Sequence, residues 1–303
     1  LIVSDLAPPE LHRRLRSDGL RISSGPFNCR IQTRISEIIP ELIRLYAHHP
    51  VIPDDTFVDF HIAIETGRGV HRWFRPQARF LVDGVEPFTP LPRAQALPMI
   101  EWGLNWCITA YSQHLLILHA AALVRGDRAI IMPAPPGSGK STLCAALANR
   151  GWRLLSDELT IIRLDTGQME GLARPVNLKN KSIDVIRDFA PDAFLTAPVR
   201  DTTKGTVALM APSADSVRQL GQAAWPRWVV FPRYVAGSRA SLKPLQTGAA
   251  FLQIADNAMN YHVLSKTGFA AVSALVDRCD HFGFEYGDLN EAIACFDRLA
   301  AEA

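Results

Sequence analysis

Nine residues near the middle of this 303-residue chain constrain its fold most: Ala134-Pro135-Pro136-Gly137-Ser138-Gly139-Lys140-Ser141-Thr142. The apolar run Ala129 to Met132 before them has the length and composition of a short buried strand. The run Ser141 to Arg150 after them reads as a helix, with Gly151 as its left-handed stop. A glycine-rich turn from a buried strand into a helix is the setting of a phosphate-binding loop. Gly137 and Gly139 let the backbone curl, so that successive N–H groups point inward at an anion. The helix start adds its positive end. Lys140 is placed to reach the β- and γ-phosphates, the Ser141 hydroxyl to ligate Mg²⁺, and Ser138 and Thr142 to complete the cradle. One departure is visible: Ala134 stands where the first glycine of such loops is usual. Pro135 and Pro136 have no N–H to offer, so the later amides must carry the binding.

The next strand, Arg153 to Ser156, ends in Asp157-Glu158. A single helix separates lysine from acid. If the two strands are neighbours, the carboxylates leave the sheet at its carboxyl edge beside the phosphates. One carboxylate then holds Mg²⁺ and the other takes a proton from an attacking hydroxyl, a division that suits a kinase. The alternative is a solvated turn after a strand.

Composition excludes several classes. With 32 Lys+Arg against 30 Asp+Glu, net charge +2, no excess is available for a nucleic-acid backbone. The most apolar central run, Leu115 to Val124, contains His119 and is too short to span a bilayer. Five scattered cysteines (29, 107, 144, 279 and 295) form neither a disulfide framework nor a zinc set, so a cytoplasmic setting is expected. Length suggests roughly two units of ~150 residues each. Residues 1–93 read as a smaller α+β accessory or recognition domain. Residues 94–303 read as the catalytic α/β domain, entered through a proline-rich linker at 86–98. Ile35 to Tyr46 has helical spacing interrupted by Pro40. A helix from about Pro98 to His114 carries Trp102 and Trp106 four apart, as a packing stripe or a ligand platform. Asp288 and Glu291 have capping-box spacing at the last helix.

These residues resemble a family. His119-Ala120-Ala121, the strand, Gly137 to Thr142, Gly151 and Leu155-Ser156-Asp157-Glu158 look like the catalytic domain of HPr kinase/phosphorylase. They look more closely like the HprK-related kinases of the A group. Arg174 to Ser182, Lys204-Gly205, Phe231 to Tyr234 and Asn257 to His262 are similar too. The resemblance covers roughly residues 115–300. It implies an α/β P-loop kinase domain of the HPr kinase/phosphoenolpyruvate carboxykinase type, using ATP and Mg²⁺ to phosphorylate a hydroxyl of a peptide or small protein. It also implies a peptide-modification setting with a PqqD-like peptide chaperone, and it is compatible with an oligomer. The HPr enzymes carry two aspartates where this chain has Asp157 and Glu158. The expected roles are Asp157 as base, Glu158 as metal-side acid with Ser141, and His119 beside the nucleotide or acceptor phosphate.

Lysine is scarce, six against 26 arginines. Lys140, Lys179, Lys181 and Lys204 are therefore candidates for phosphate contacts, and Arg174 and Arg233 for transition-state cations. Asn257, Asn260 and His262 offer either a polar substrate wall or a helix-end network. Two other readings remain open: a small-molecule P-loop kinase, and a nucleotide-binding switch or scaffold, which Ala134 favours slightly.

Overall fold

The computed structural model describes residues 1–302 as a mixed α/β structure with three sheets. Helix α1 (Pro8–Arg16) precedes a hairpin of β1 (Leu20–Ser24) and β2 (Phe27–Thr33), whose side chains alternate between buried and half-buried. Helix α2 (Ile39–Leu45) follows, with Pro40 in its first turn. No N–H partner is needed there, so the proline starts the helix where an interruption was expected. Strand β3 (Phe60–Thr66) joins β2 in parallel, and β4 (Gln77–Val82) and β5 (Leu91–Pro92) complete a five-stranded sheet in chain order. Part of the expected linker is therefore strand. Helix α3 (Ala96–Tyr111) lies on this sheet, and at Gly103 a Cβ would meet the Phe80 ring at 2.0 Å. The apolar core beneath α3 continues into Leu115, Ile117, Leu159 and Ile161.

The larger sheet is built on β6 (Leu115–Arg125), an 11-residue strand buried along nearly its whole length. The run that is too short for a bilayer is thus the central strand. Then come β7 (Arg128–Pro133), α4 (Lys140–Ala148), β8 (Arg153–Ser156), β9 (Leu159–Arg163) and β10 (Met169–Glu170). A three-stranded sheet of β11 (Val176–Lys179), β12 (Val199–Thr202) and β13 (Gly205–Met210) carries α5 (Lys181–Phe189) in its first connection. After α6 (Ala214–Arg218) the chain returns to the large sheet as β14 (Trp225–Tyr234) and β15 (Ser241–Pro244). It then forms α7 (Thr247–Asp256), α8 (Tyr261–Leu264), α9 (Lys266–Arg278), β16 (Asp280–Tyr286) and α10 (Leu289–Ala301). Strands β7, β14 and β16 run parallel, and β6 is antiparallel to β7.

Both faces of this sheet are covered, as a parallel sheet requires. One core gathers Leu143 and Leu147 of α4, Trp152, Trp228 and Phe296 of α10. The other gathers Ile131, Val229, Ile254 of α7 and Val272 of α9. Burying each such side chain contributes about 1.5–3 kcal/mol. Asp288 caps α10, accepting from the Glu291 amide at 2.9 Å. The Glu291 carboxylate accepts instead from the Ala240 amide, so only half of the expected capping box forms.

Candidate phosphate-binding site

After β7 the chain turns through Gly137 and Gly139, with φ of 86° and 88°. Glycine adopts this left-handed region without a steric penalty. At Gly139 a side chain is excluded for a second reason, since a Cβ would lie 2.4 Å from the Tyr286 hydroxyl oxygen. That hydroxyl donates to the Gly139 carbonyl at 2.9 Å, and the Tyr234 amide donates to the Ser138 carbonyl at 2.9 Å. Tying these carbonyls to β14 and β16 turns the intervening amides the other way. The loop, residues 137–142, lines a cavity of about 800 Å³ together with His119, Glu158 and Lys179. Val185 and Phe189 of α5 and Leu289 of α10 add apolar surface to the lining, beside Lys181, Asp188 and Asn290.

The expectation that β7 and β8 are neighbours is not met, because β6 lies between them. Ala122 is opposite Ser156 on one side of β6, and Ala120 is opposite Pro133 on the other. Two antiparallel pairings make β7 and β8 run the same way, so the loop and the acids still leave the same sheet edge. The small residues Ala120 to Ala122 keep the intervening strand thin, and α4 packs directly over it.

Asp157 and Glu158 follow one another in the bend between β8 and β9 and meet different surroundings. Asp157 is 4% exposed. Its Oδ2 accepts from the Asn177 amide at 3.2 Å, and its backbone carbonyl accepts from Lys140 Nζ at 3.1 Å. Burial pushes its carboxyl pKa up, and Lys140 offsets this only in part. Glu158 faces the cavity. Its Oε1 lies 3.7 Å from Lys204 Nζ and 3.8 Å from Lys179 Nζ, and its Oε2 accepts from the Asn105 side-chain amide. Burial opposes its charge too, but Lys204, Lys179 and Lys140 outweigh it and hold its pKa below the usual range. Asp157 is thus the buried acid, and Glu158 the acid that opens on the cavity and its lysines.

The donor set fits Mg²⁺ at the inner acid. The Ser141 hydroxyl lies close enough to Asp157 to favour its ionised form. Asp157 Oδ1 is buried without a full hydrogen bond from the protein, a state that costs free energy until a donor or cation reaches it. A hard oxygen pair of hydroxyl and carboxylate is what Mg²⁺ takes beside phosphates. Lys140 is itself buried, which lowers its pKa against the pull of both acids. His119, on β6, is half-buried; burial first, then Lys140, hold its pKa at about 4, so the imidazole is neutral.

Other expected residues divide. Lys179 and Lys181 line the cavity, and Lys204 reaches Glu158 from the β12–β13 turn with Nζ 5.5 Å from the Trp102 ring centroid. Trp106 packs edge-on to Phe88 and Tyr111. Arg174 is not a free cation: it is buried in an ion pair with Glu101 at 2.8 Å. Arg233 is 75% exposed and faces Glu285 at 3.5 Å. Asn257, Asn260 and His262 are absent from the cavity lining. Asn260 is a latch on β6, donating to the Leu115 carbonyl at 2.7 Å and accepting from the Ile117 amide at 3.1 Å. Sequence reasoning missed Tyr286 and Asn105, and it named Tyr234 only as part of the stretch Phe231 to Tyr234. The only signal for Asn105 is a polar side chain one turn after Glu101 in an otherwise apolar helix. All five cysteines are free thiols, and no helix among the described residues is long and apolar enough to cross a membrane.

No protein-family model matches the chain, and neither does any curated protein. Among solved structures it is similar to the Hpr(Ser) kinase/phosphatase from Coxiella burnetii. That match covers 61% of this chain and 92% of the other, at 13% identity and a TM-score of 0.25. A likeness of that degree says nothing about chemistry, so the roles that follow rest on the geometry of the cavity.

Proposed function

We propose that this protein is a Mg-ATP-dependent phosphotransferase acting on a hydroxyl of a peptide or small protein. The observation that carries the reading is one cavity shared by a glycine-hinged phosphate loop, a buried lysine and Glu158, with the buried Asp157 accepting from that lysine through its backbone carbonyl. The loop amides and Lys140 hold the phosphates, and Ser141 with Asp157 holds the metal, the reverse of the roles expected from sequence. Held by Ser141 and Asp157, Mg²⁺ would supply charge neutralisation to the phosphates. Glu158, ionised and open to the cavity, orients the acceptor hydroxyl and takes its proton as the new O–P bond forms. The γ-phosphorus to bridging-oxygen bond breaks, and ADP leaves with the electron pair. Lys179 and Lys204 compensate charge on the transferred group. Neutral His119 hydrogen-bonds without adding charge. The apolar surface of Val185, Phe189 and Leu289 suits a nucleobase. The motif resemblance supports the peptide acceptor and a PqqD-like carrier for it.

The test is transfer of label from γ-labelled ATP with Mg²⁺ to a panel of hydroxyl-bearing peptides, beside an equilibrium ATP-binding measurement. The parent should label an acceptor. Lys140→Ala should lose ATP affinity by at least about tenfold, as loss of a charge-assisted contact worth ~1.5–3 kcal/mol requires. ATP binding with no labelled acceptor would favour a nucleotide switch. Unchanged affinity in Lys140→Ala would refute the phosphate site itself.

A further inference from the structure

A chain of buried and half-buried hydrogen bonds runs from the end of α2 to the carboxylate at the cavity. The Tyr46 hydroxyl, just past α2, donates to Glu101 Oε1 on α3. Glu101 Oε2 accepts from Arg174 Nε at 3.2 Å and Nη2 at 2.8 Å, and Nη2 also donates to the Glu101 carbonyl at 2.9 Å. Arg174 Nη1 donates to Asn105 Oδ1 at 2.8 Å, and Asn105 Nδ2 donates to Glu158 Oε2. The Arg174 and Glu101 side chains are only 7% and 5% exposed.

The donor inventory fixes how this chain must be read. Arginine only donates, so the asparagine atom facing Arg174 is the carbonyl oxygen. The amide NH₂ is then left facing Glu158, and a flipped Asn105 would set NH₂ against guanidinium and oxygen against carboxylate. Arg174 thus determines which end of Asn105 meets the acid. Glu101 in turn fixes Arg174 with a forked pair of bonds, a geometry lysine cannot reproduce. Glu101 and Asn105 are one helical turn apart on α3, so one rigid helix holds both. Burial opposes charge on Arg174, and Glu101 restores it.

We propose that Asn105 and Arg174 are positioning residues for Glu158, holding its carboxylate toward the cavity at the end of a relay anchored at Tyr46. This rests on the role given to Glu158 above.

The test reads the relay in the free protein at one neutral pH, through the side-chain NH₂ resonances of Asn105, assigned with Asn105→Leu. In the parent these protons should exchange slowly with water and show a contact to the Glu158 side chain, assigned with Glu158→Gln. Arg174→Lys keeps the charge beside Glu101 but releases Asn105, and should shift those resonances, speed their exchange and weaken the contact to Glu158. Where transfer is measurable, Asn105→Leu and Arg174→Lys should lower kcat with KM for ATP unchanged. Unmoved Asn105 resonances in folded Arg174→Lys would overturn the proposal. If that variant does not fold, Arg174→Gln decides in its place. The spectra need no turnover, so a protein that never transfers phosphate still tests the relay.

Discussion

Asp157 and Glu158 share a peptide bond and occupy opposite surroundings. Asp157 lies on the floor beneath α4, with the Asn177 amide on one oxygen and nothing of full geometry on the other. Glu158 opens on the mouth, with two lysine ammonium groups within 4 Å and the Asn105 amide behind it. Burial raises the first carboxyl's pKa; the lysines lower the second's despite burial. Chemical similarity in the sequence therefore says little about role, because the environment divides the labour. On the function proposed above, the buried acid poor in donors is the metal's and the ionised acid in the cationic mouth is the acceptor's.

Kinetics give the largest expected contrast. Glu158→Gln should lower kcat by roughly 10²–10⁴-fold, the usual range for a lost general base, with ATP affinity nearly unchanged. Asp157→Asn should instead raise the Mg²⁺ concentration needed for half-maximal rate, with part of the rate recovered at high Mg²⁺. Titrating both variants with Mg²⁺ checks this. If Asp157→Asn abolishes transfer at every Mg²⁺ concentration while Glu158→Gln shows the metal dependence, the two roles are the other way round.

What the sequence could and could not reveal follows the same division. The glycine loop was legible as a turn because its rules are local: strand, two left-handed glycines, lysine and helix are consecutive, and only backbone rules are needed to read them. The acids were legible as a pair, but which of them is buried and which opens on the cavity was not. Which carboxylate points inward depends on Asn177, Lys179 and Lys204, brought in by a separate small sheet. Arg174 was misread for the same reason, since its partner Glu101 lies 73 residues away. Pro40 and the prolines of 86–98 looked like interruptions, yet one starts α2 and another lies in edge strand β5. Proline marks where a hydrogen bond is missing, and whether that is an end or a beginning is a tertiary matter.

Stability offers a sharper contrast, of opposite sign at the two positions. A carboxyl whose pKa is raised by folding contributes stability only below the ordinary carboxylate range, and that is lost as pH rises through the raised value. Asp157 thus burdens the fold at neutral pH, and Asp157→Asn should melt higher than the parent. Glu158 is the reverse: its depressed pKa contributes stability above the ordinary range, lost as pH falls through the lowered value, so Glu158→Gln should melt lower. Shifts of a few degrees are expected, at about 2–4 °C per kcal/mol for a chain of this size. Thermal melts at neutral pH and near pH 4 read them, and the two differences should narrow in the acid. Shifts of the same sign at neutral pH would mean that the floor and the mouth are not electrostatically distinct.

His119 should give the smallest effect, and it tests whether the mouth holds any further titrating group. Its imidazole shares the cavity with Lys140, Lys179 and Glu158, and a pKa of about 4 keeps it neutral. An unperturbed histidine changes charge between about pH 5 and pH 8, so a catalytic imidazolium would leave a limb in the rate profile there. His119→Asn keeps a polar side chain and removes the ring. It should lower kcat/KM by no more than about fivefold, the cost of roughly one hydrogen bond, and leave the shape of the profile unaltered across that range. The stability that depends on His119 staying neutral is lost as pH falls from its ordinary value toward 4, so any difference in melting should appear only in the acid. A profile that loses a limb near neutrality in His119→Asn would mean that the ring exchanges protons during transfer. The proton would then have a second place to go besides Glu158.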